Sequence, residues 1–224
     1  MFWQILLGIW MTAVILASFL YMPATQGLGQ TGRIIVYHVP AAWLAVLAYL
    51  ISMLNAVGYL RRGELRLDRQ ARINAELGTV FCLVATVTGA IWSRAAWGWY
   101  WNWDPRQTSI AVLLLIYTAY FVLRSAVSDQ ARRARLSAVY SVLAFLTVPF
   151  LVFVVPRVYA SLHPDLINLE QGSFDMDRKM LVVFLASLAG FTGLYAWMYK
   201  LVARLENLLD KLEQQKRGEA ESER

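Results

Sequence analysis

Apolar residues fall along this chain in six long blocks separated by short polar stretches. Such blocks approach the roughly 20 residues that a helix rising about 1.5 Å per residue needs to cross a bilayer. They predict spans at Trp3 to Met22, Ile34 to Leu60, Leu77 to Trp92, Gln107 to Val127, Leu136 to Val155 and Met180 to Val202. The pattern is that of an all-α integral membrane protein: six transmembrane helices within residues 1–202 and a polar tail, 203–224. No remaining stretch is large enough to be a soluble domain. Arg124 lies inside the fourth span and is expected to snorkel its guanidinium to the interface.

Composition agrees with the blocks. At 58% apolar residues and a mean hydropathy of +0.47, the 224-residue chain is too apolar for a soluble fold of that length. The first block has no basic residue ahead of it and no small-residue cleavage site, so it is expected to stay as a helix. Cys82, the single cysteine, falls within the third span and is read as a small core residue.

Charge orients the spans, because cytoplasmic connectors carry the excess of Lys and Arg. Arg61, Arg62, Arg66, Arg69 and Arg72 follow the second span, and Arg124, Arg132, Arg133 and Arg135 follow the fourth. Lys200, Arg204, Lys211, Lys216, Arg217 and Arg224 belong to the tail. The opposite side holds only Arg33, Arg94, Arg106, Arg157, Arg178 and Lys179. Both termini are therefore expected to be cytoplasmic. The net charge of +6 is accounted for by orientation in the bilayer, without nucleic acid.

With that orientation, the connector between spans three and four opens outward. It reads Trp97-Gly-Trp-Tyr-Trp-Asn-Trp-Asp104, with four of the nine tryptophans at alternate positions. So dense a cluster of large, polarizable rings makes a platform for something flat and apolar. In an extended backbone Trp97, Trp99, Trp101 and Trp103 share one face. In a helix they form two columns, and a short interfacial helix ending at Asp104-Pro105 is the expectation, because indole suits that layer. The plainer alternative is an aromatic belt that anchors the helices. Asp104-Pro-Arg-Gln107 also has the form of an N-terminal cap for the fourth span.

The two histidines, His38 and His163, map to the same outer side. His38 begins the second span, where Pro40 is expected to kink or restart the helix and His38 to stand at or above the interface. His163 precedes Pro164, which favours extended backbone in a loop. Zinc wants three or four ligands in a compact set. Two imidazoles from separate segments beside an aromatic shelf instead suit the two axial faces of a haem iron. Arg33, Arg94, Arg106 and Arg157 border the same surface, as partners for haem carboxylates or as headgroup anchors.

Trp97-Gly-Trp-Tyr-Trp-Asn-Trp-Asp-Pro-Arg-Gln-Thr-Ser109 resembles the tryptophan-rich WWD signature of the haem-handling membrane proteins of cytochrome c maturation. The frame W-G-x-x-W-x-W-D-x-R-x-T-S is met at Trp97, Gly98, Trp101, Trp103, Asp104, Arg106, Thr108 and Ser109. A six-span chain of this length resembles the CcmC family of the system I pathway, and the stretches Tyr37 to Trp43 and Ser161 to Pro164 resemble that family's histidine sites. The resemblance implies a protein of the bacterial inner membrane that binds a b-type haem as transient cargo, its iron ligated by His38 and His163 on the periplasmic face. It implies delivery to a periplasmic haem chaperone, CcmE. The ATP-binding-cassette subunits CcmA and CcmB and the one-span CcmD would be further partners, and any ATP hydrolysis would belong to them, so this chain is not expected to be an enzyme.

Three further expectations bear on mechanism. Pro156 to Lys179 reads as a mobile loop whose movement would free one face of the iron, and its Asp165, Glu170, Asp175 and Asp177 as a docking patch for a soluble partner. Leu201, Leu205, Leu208, Leu209 and Leu212 form one face of the tail, suited to a partner subunit or to the chain's own basic connectors. The rival classes are an electron-transfer subunit with a resident b-type haem, which calls for histidines inside a span core, and a substrate transporter or scaffold, which calls for charge there.

Overall fold

A computed structural model of the chain describes residues 2–25, 27–164, 167–168, 173–174 and 176–222. Its helices are α1 (Phe2–Leu20), α2 (Ile35–Arg62), α3 (Leu65–Trp97), α4 (Pro105–Ala126), α5 (Gln130–Pro149), the short α6 (Val155–Val158) and α7 (Arg178–Ser222). Six helical segments are long and apolar enough to cross a membrane. They agree with the six predicted spans, and the chain is a multi-pass membrane protein. A small antiparallel hairpin, β1 (Ile167–Asn168) with β2 (Ser173–Phe174), lies between α6 and α7.

The core is the seam between α2 and α3. Ala41, Ala45 and Ala48 of α2 are buried, and a side chain at Gly78 of α3 would come within 2.7 Å of the Tyr49 ring, so small residues let the two backbones approach. Tyr49 stacks on Tyr117 of α4 with ring centroids 3.5 Å apart. Ser52 donates to the Ala71 carbonyl at 2.7 Å. By contrast α1 is peripheral, with only Val14 and Ser18 buried. It is held to α7 by the Trp10 indole donating to the Ala186 carbonyl at 2.8 Å and by the edge-on pair Trp3 and Trp197.

Several sequence expectations are corrected. The third helix starts at Leu65, so Arg66, Arg69 and Arg72 lie on its first turns, and the connector is a two-residue turn whose Gly63 takes φ 70°. The helix extends this far because Ala71 packs with Ala56 and Tyr59 of α2. Arg124 does not snorkel: its guanidinium grips both carboxylate oxygens of Asp68 at 2.7 and 2.9 Å. The helix does not restart at Pro40: α2 runs through it. The carbonyl that the proline leaves without its helical donor, that of Val36, accepts a hydrogen bond from the buried Ser187 hydroxyl of α7.

No break falls at 202/203, since α7 is continuous into the tail. Glu206 and Asp210 pair with Arg69 and Arg72, and Asn207 accepts from Arg69 at 3.0 Å. The tail thus packs on the chain's own basic end by its polar face, and its leucines are exposed. Lys200 sits 5.5 Å over the Trp3 ring, so both ends of the helical bundle's chain meet at this basic end. The connector 98–104 and residues 159–164 lie at the other.

Candidate functional site

At the end of α3, Gly98 takes φ 86° and its N–H reaches the Arg94 carbonyl at 3.1 Å, which stops the helix at Trp97. Residues 98–104 are not helical, so the expected interfacial helix is absent. Polar ties hold the connector instead. Ser93 donates to the Trp99 carbonyl at 2.7 Å, and the Gln107 side chain accepts from the Asn102 N–H at 2.9 Å while donating to Ser93 at 3.2 Å. Trp103 has φ 59°, a left-handed conformation that a bulky side chain adopts at a cost of order 1–3 kcal/mol. Its carbonyl is held by the Thr108 hydroxyl at 3.1 Å.

The tryptophans consequently share neither one face nor two helical columns. Trp97 packs edge-on against Trp92 with centroids 4.8 Å apart. Trp101 meets Trp103 edge-on at 5.8 Å, and Trp99 and Trp103 are 69% and 72% exposed. The connector has an inner wall, Trp97, and an outer rim, Trp99 and Trp103.

Asp104 joins this connector to the segment after α6. As expected it caps α4, accepting from the Arg106 N–H at 2.9 Å. The same buried carboxylate also accepts from the Ser161 hydroxyl at 3.0 Å, the Leu162 N–H at 2.8 Å and His163 Nδ1 at 2.9 Å. Burial pushes the Asp104 carboxyl up, but the N–H groups of Leu162 and Arg106, with His163 and Ser161, outweigh it and leave the pKa below its usual value. For His163, burial dominates and lowers the pKa; Asp104 opposes this and the Arg106 charge adds to it. The imidazole lies edge-on to Trp97 at 4.9 Å and tilted against Trp92 at 5.8 Å.

His163 is therefore pinned, not carried on a free loop, and Pro156 belongs to α6. Of the acidic patch expected there, Asp165, Glu170 and Asp175 lie outside the described residues, and Asp177 accepts from the Lys179 N–H at 2.8 Å. His38 stands in the first turn of α2. It is half-buried between α2 and α3, with Nδ1 3.1 Å from the Thr88 hydroxyl. That hydroxyl gives its proton to the Val84 carbonyl at 2.7 Å, so it accepts from His38 Nδ1–H, and the ring's free lone pair is on Nε2. The ring rests on Gly89, where a Cβ would fall 2.8 Å from Cε1.

His163 is thus in direct contact with both Trp97 and Asp104, and the Arg106 charge acts on it. Of the bordering arginines, Arg94 caps its own helix at the Gly98 carbonyl and lies 5.8 Å over Tyr100, Arg157 donates to Phe153, and Arg33 lies over Phe19. Sequence reasoning missed Thr88, Gly89 and Trp92, and named Ser161 only within the stretch around His163. Only Trp92, an indole at the end of a span, carried a signal. Among the described residues no group of three or more His, Cys, Asp or Glu could hold a bare metal ion.

The model of the Heme exporter protein C family, CcmC, matches residues 1–218. The chain belongs to that family. It is 32% identical over 210 residues to Heme exporter protein C of Rhodobacter capsulatus, covering 89% of this chain and 84% of the relative. With the protein of the same name from Bradyrhizobium diazoefficiens it shares 31% identity over 201 residues, 88% of this chain and 76% of the relative. The Escherichia coli K12 counterpart is 28% identical over 203 residues, 89% and 79% of the two chains.

Proposed function

We propose that this CcmC-family chain takes haem at the connector end of the bundle, with His38 and His163 as axial ligands to the iron, and hands it on for cytochrome c maturation. The observation that carries the reading is the presentation of the imidazoles. Each has Nδ1 committed, His38 to Thr88 and His163 to Asp104, so each offers Nε2, the nitrogen through which a fixed imidazole reaches a metal. Trp97 and Trp92 supply an apolar wall beside His163, while Trp99, Trp101 and Trp103 form the rim that would meet the ring edge. Arg106, whose charge acts on His163, is the candidate partner for a propionate. Asp104 acts through His163 and does not itself touch the cargo.

The excess of Lys and Arg at the other end supports cytoplasmic termini and a periplasmic haem site in the inner membrane. The acceptor is then a soluble periplasmic haem chaperone of the CcmE kind. CcmA and CcmB would form the ATP-hydrolysing pair, with CcmD as a small accessory subunit. Haem is cargo here, so its retention must be firm and reversible.

The test is to co-express the chain with a tagged acceptor and measure haem on the acceptor. Haem should accumulate there with the wild-type chain and fall to background for His38→Ala and for His163→Ala. Undiminished transfer by both variants would defeat the proposal. A haem that stays on the chain through repeated acceptor turnover would support a resident electron carrier instead.

A further inference from the structure

We infer that the two axial positions are unequal: Asp104 makes His163 the stronger ligand, and the haem is given up from the His38 side. This rests on the haem site proposed above and adds an order of events to it.

The first ground is chemical. His163 Nδ1 donates to a buried carboxylate at 2.9 Å, a charge-assisted bond that draws the proton away and makes Nε2 a better electron donor to iron. His38 Nδ1 donates at 3.1 Å to a neutral hydroxyl, which is the weaker support.

The second ground is mechanical. Asp104 binds Ser161, Leu162 and His163 while capping α4, and Trp97 packs on the His163 ring. The connector and residues 161–163 therefore form one body around that ligand. His38 rests on Gly89 and bonds to Thr88 of α3, the helix whose end also carries the connector through Trp92 and Ser93, and it has fewer ties than His163. The less firmly held ligand gives way first, so the haem parts from His38. The step is a ligand exchange: the iron–Nε2 bond to His38 breaks, the freed lone pair stays on His38, and a neutral donor group of the acceptor supplies a pair in its place. No electron or proton changes hands at the iron. Asp104 is thus a positioning residue for His163.

The experiment uses the full-length chain loaded with haem in detergent, comparing Asp104→Asn, Thr88→Val, His38→Ala and His163→Ala by haem content, dissociation rate, reduction potential and absorption spectrum. Asparagine is itself a good helix cap and keeps an acceptor oxygen, so it removes the charge while preserving the fold. Asp104→Asn should raise the potential and speed haem loss about tenfold, while Thr88→Val leaves the potential near wild type. His38→Ala should keep haem on His163 in high-spin form, and His163→Ala should lose most of it. An unchanged potential in Asp104→Asn, or greater haem loss from His38→Ala than from His163→Ala, overturns the inequality and leaves the site intact. Wild-type haem content and spectrum in both histidine variants would instead remove the site itself.

Discussion

Gly89 leaves the His38 imidazole resting directly on the backbone of α3, since any Cβ there would fall 2.8 Å from the ring. Gly89→Ala should displace the ring without unfolding the chain, seen as a shifted haem spectrum and weaker haem retention at an unchanged helical content. A wild-type spectrum would mean that the seat does not matter. At His163 the lowered pKa, from burial first and the Arg106 charge besides, has a defined sign. The folded chain binds this proton only below the ordinary value of 6.5, so between the two values the unfolded chain holds more protons and stability rises with pH. Haem retention should stay level from about pH 8 down to 6.5 and fall only below it, measured as haem released from the detergent-solubilised protein. A decline that starts well above 6.5 would contradict the assigned environment. The capping role of Asp104 was legible in Asp-Pro-Arg-Gln because a cap is local. Its grip on Ser161 to His163 spans 57 to 59 residues, and no short-range pattern encodes such a contact.

At the scale of the helix, a partner on another helix supplied what the local sequence lacked in two places. The helix α2 continues through Pro40, with Ser187 of α7 satisfying the Val36 carbonyl. Ser187→Ala should cost about 1–3 kcal/mol, read as a lower unfolding midpoint in detergent, whereas no change would mean that water or backbone adjustment serves equally well. Arg124 needs no interface because Asp68 of α3 binds it in a fork, with the two side chains only 10% and 12% exposed. Arg124→Ala leaves that carboxylate alone and should destabilise by about 3–5 kcal/mol. A loss below about 1 kcal/mol would show the pair to be effectively solvated. The tryptophan connector is the converse case. Its helical reading rested on indole preference and periodicity, but Gly98 at φ 86° and the strained Trp103 at φ 59° put the chain outside any regular period. Packing of Trp97 on Trp92 and His163 then decided which ring turns inward.

For the molecule as a whole, the six spans and the gathering of His38, His163 and the tryptophans at one end were legible, because block length and charge asymmetry need no knowledge of packing. The union of that end through Asp104, and the binding of the tail to Arg69 and Arg72, needed coordinates. The two ends differ: one is clamped by ion pairs, the other is built of aromatic rings and holds the two imidazoles. The most direct measurement is the absorption and magnetic circular dichroism spectrum of the haem-loaded protein beside the His38→Ala, His163→Ala double variant. A six-coordinate, low-spin bis-imidazole haem in the wild type, absent from the double variant, is the expected result. A double variant that retains the wild-type haem and spectrum would place the iron's ligands elsewhere and contradict the site described here.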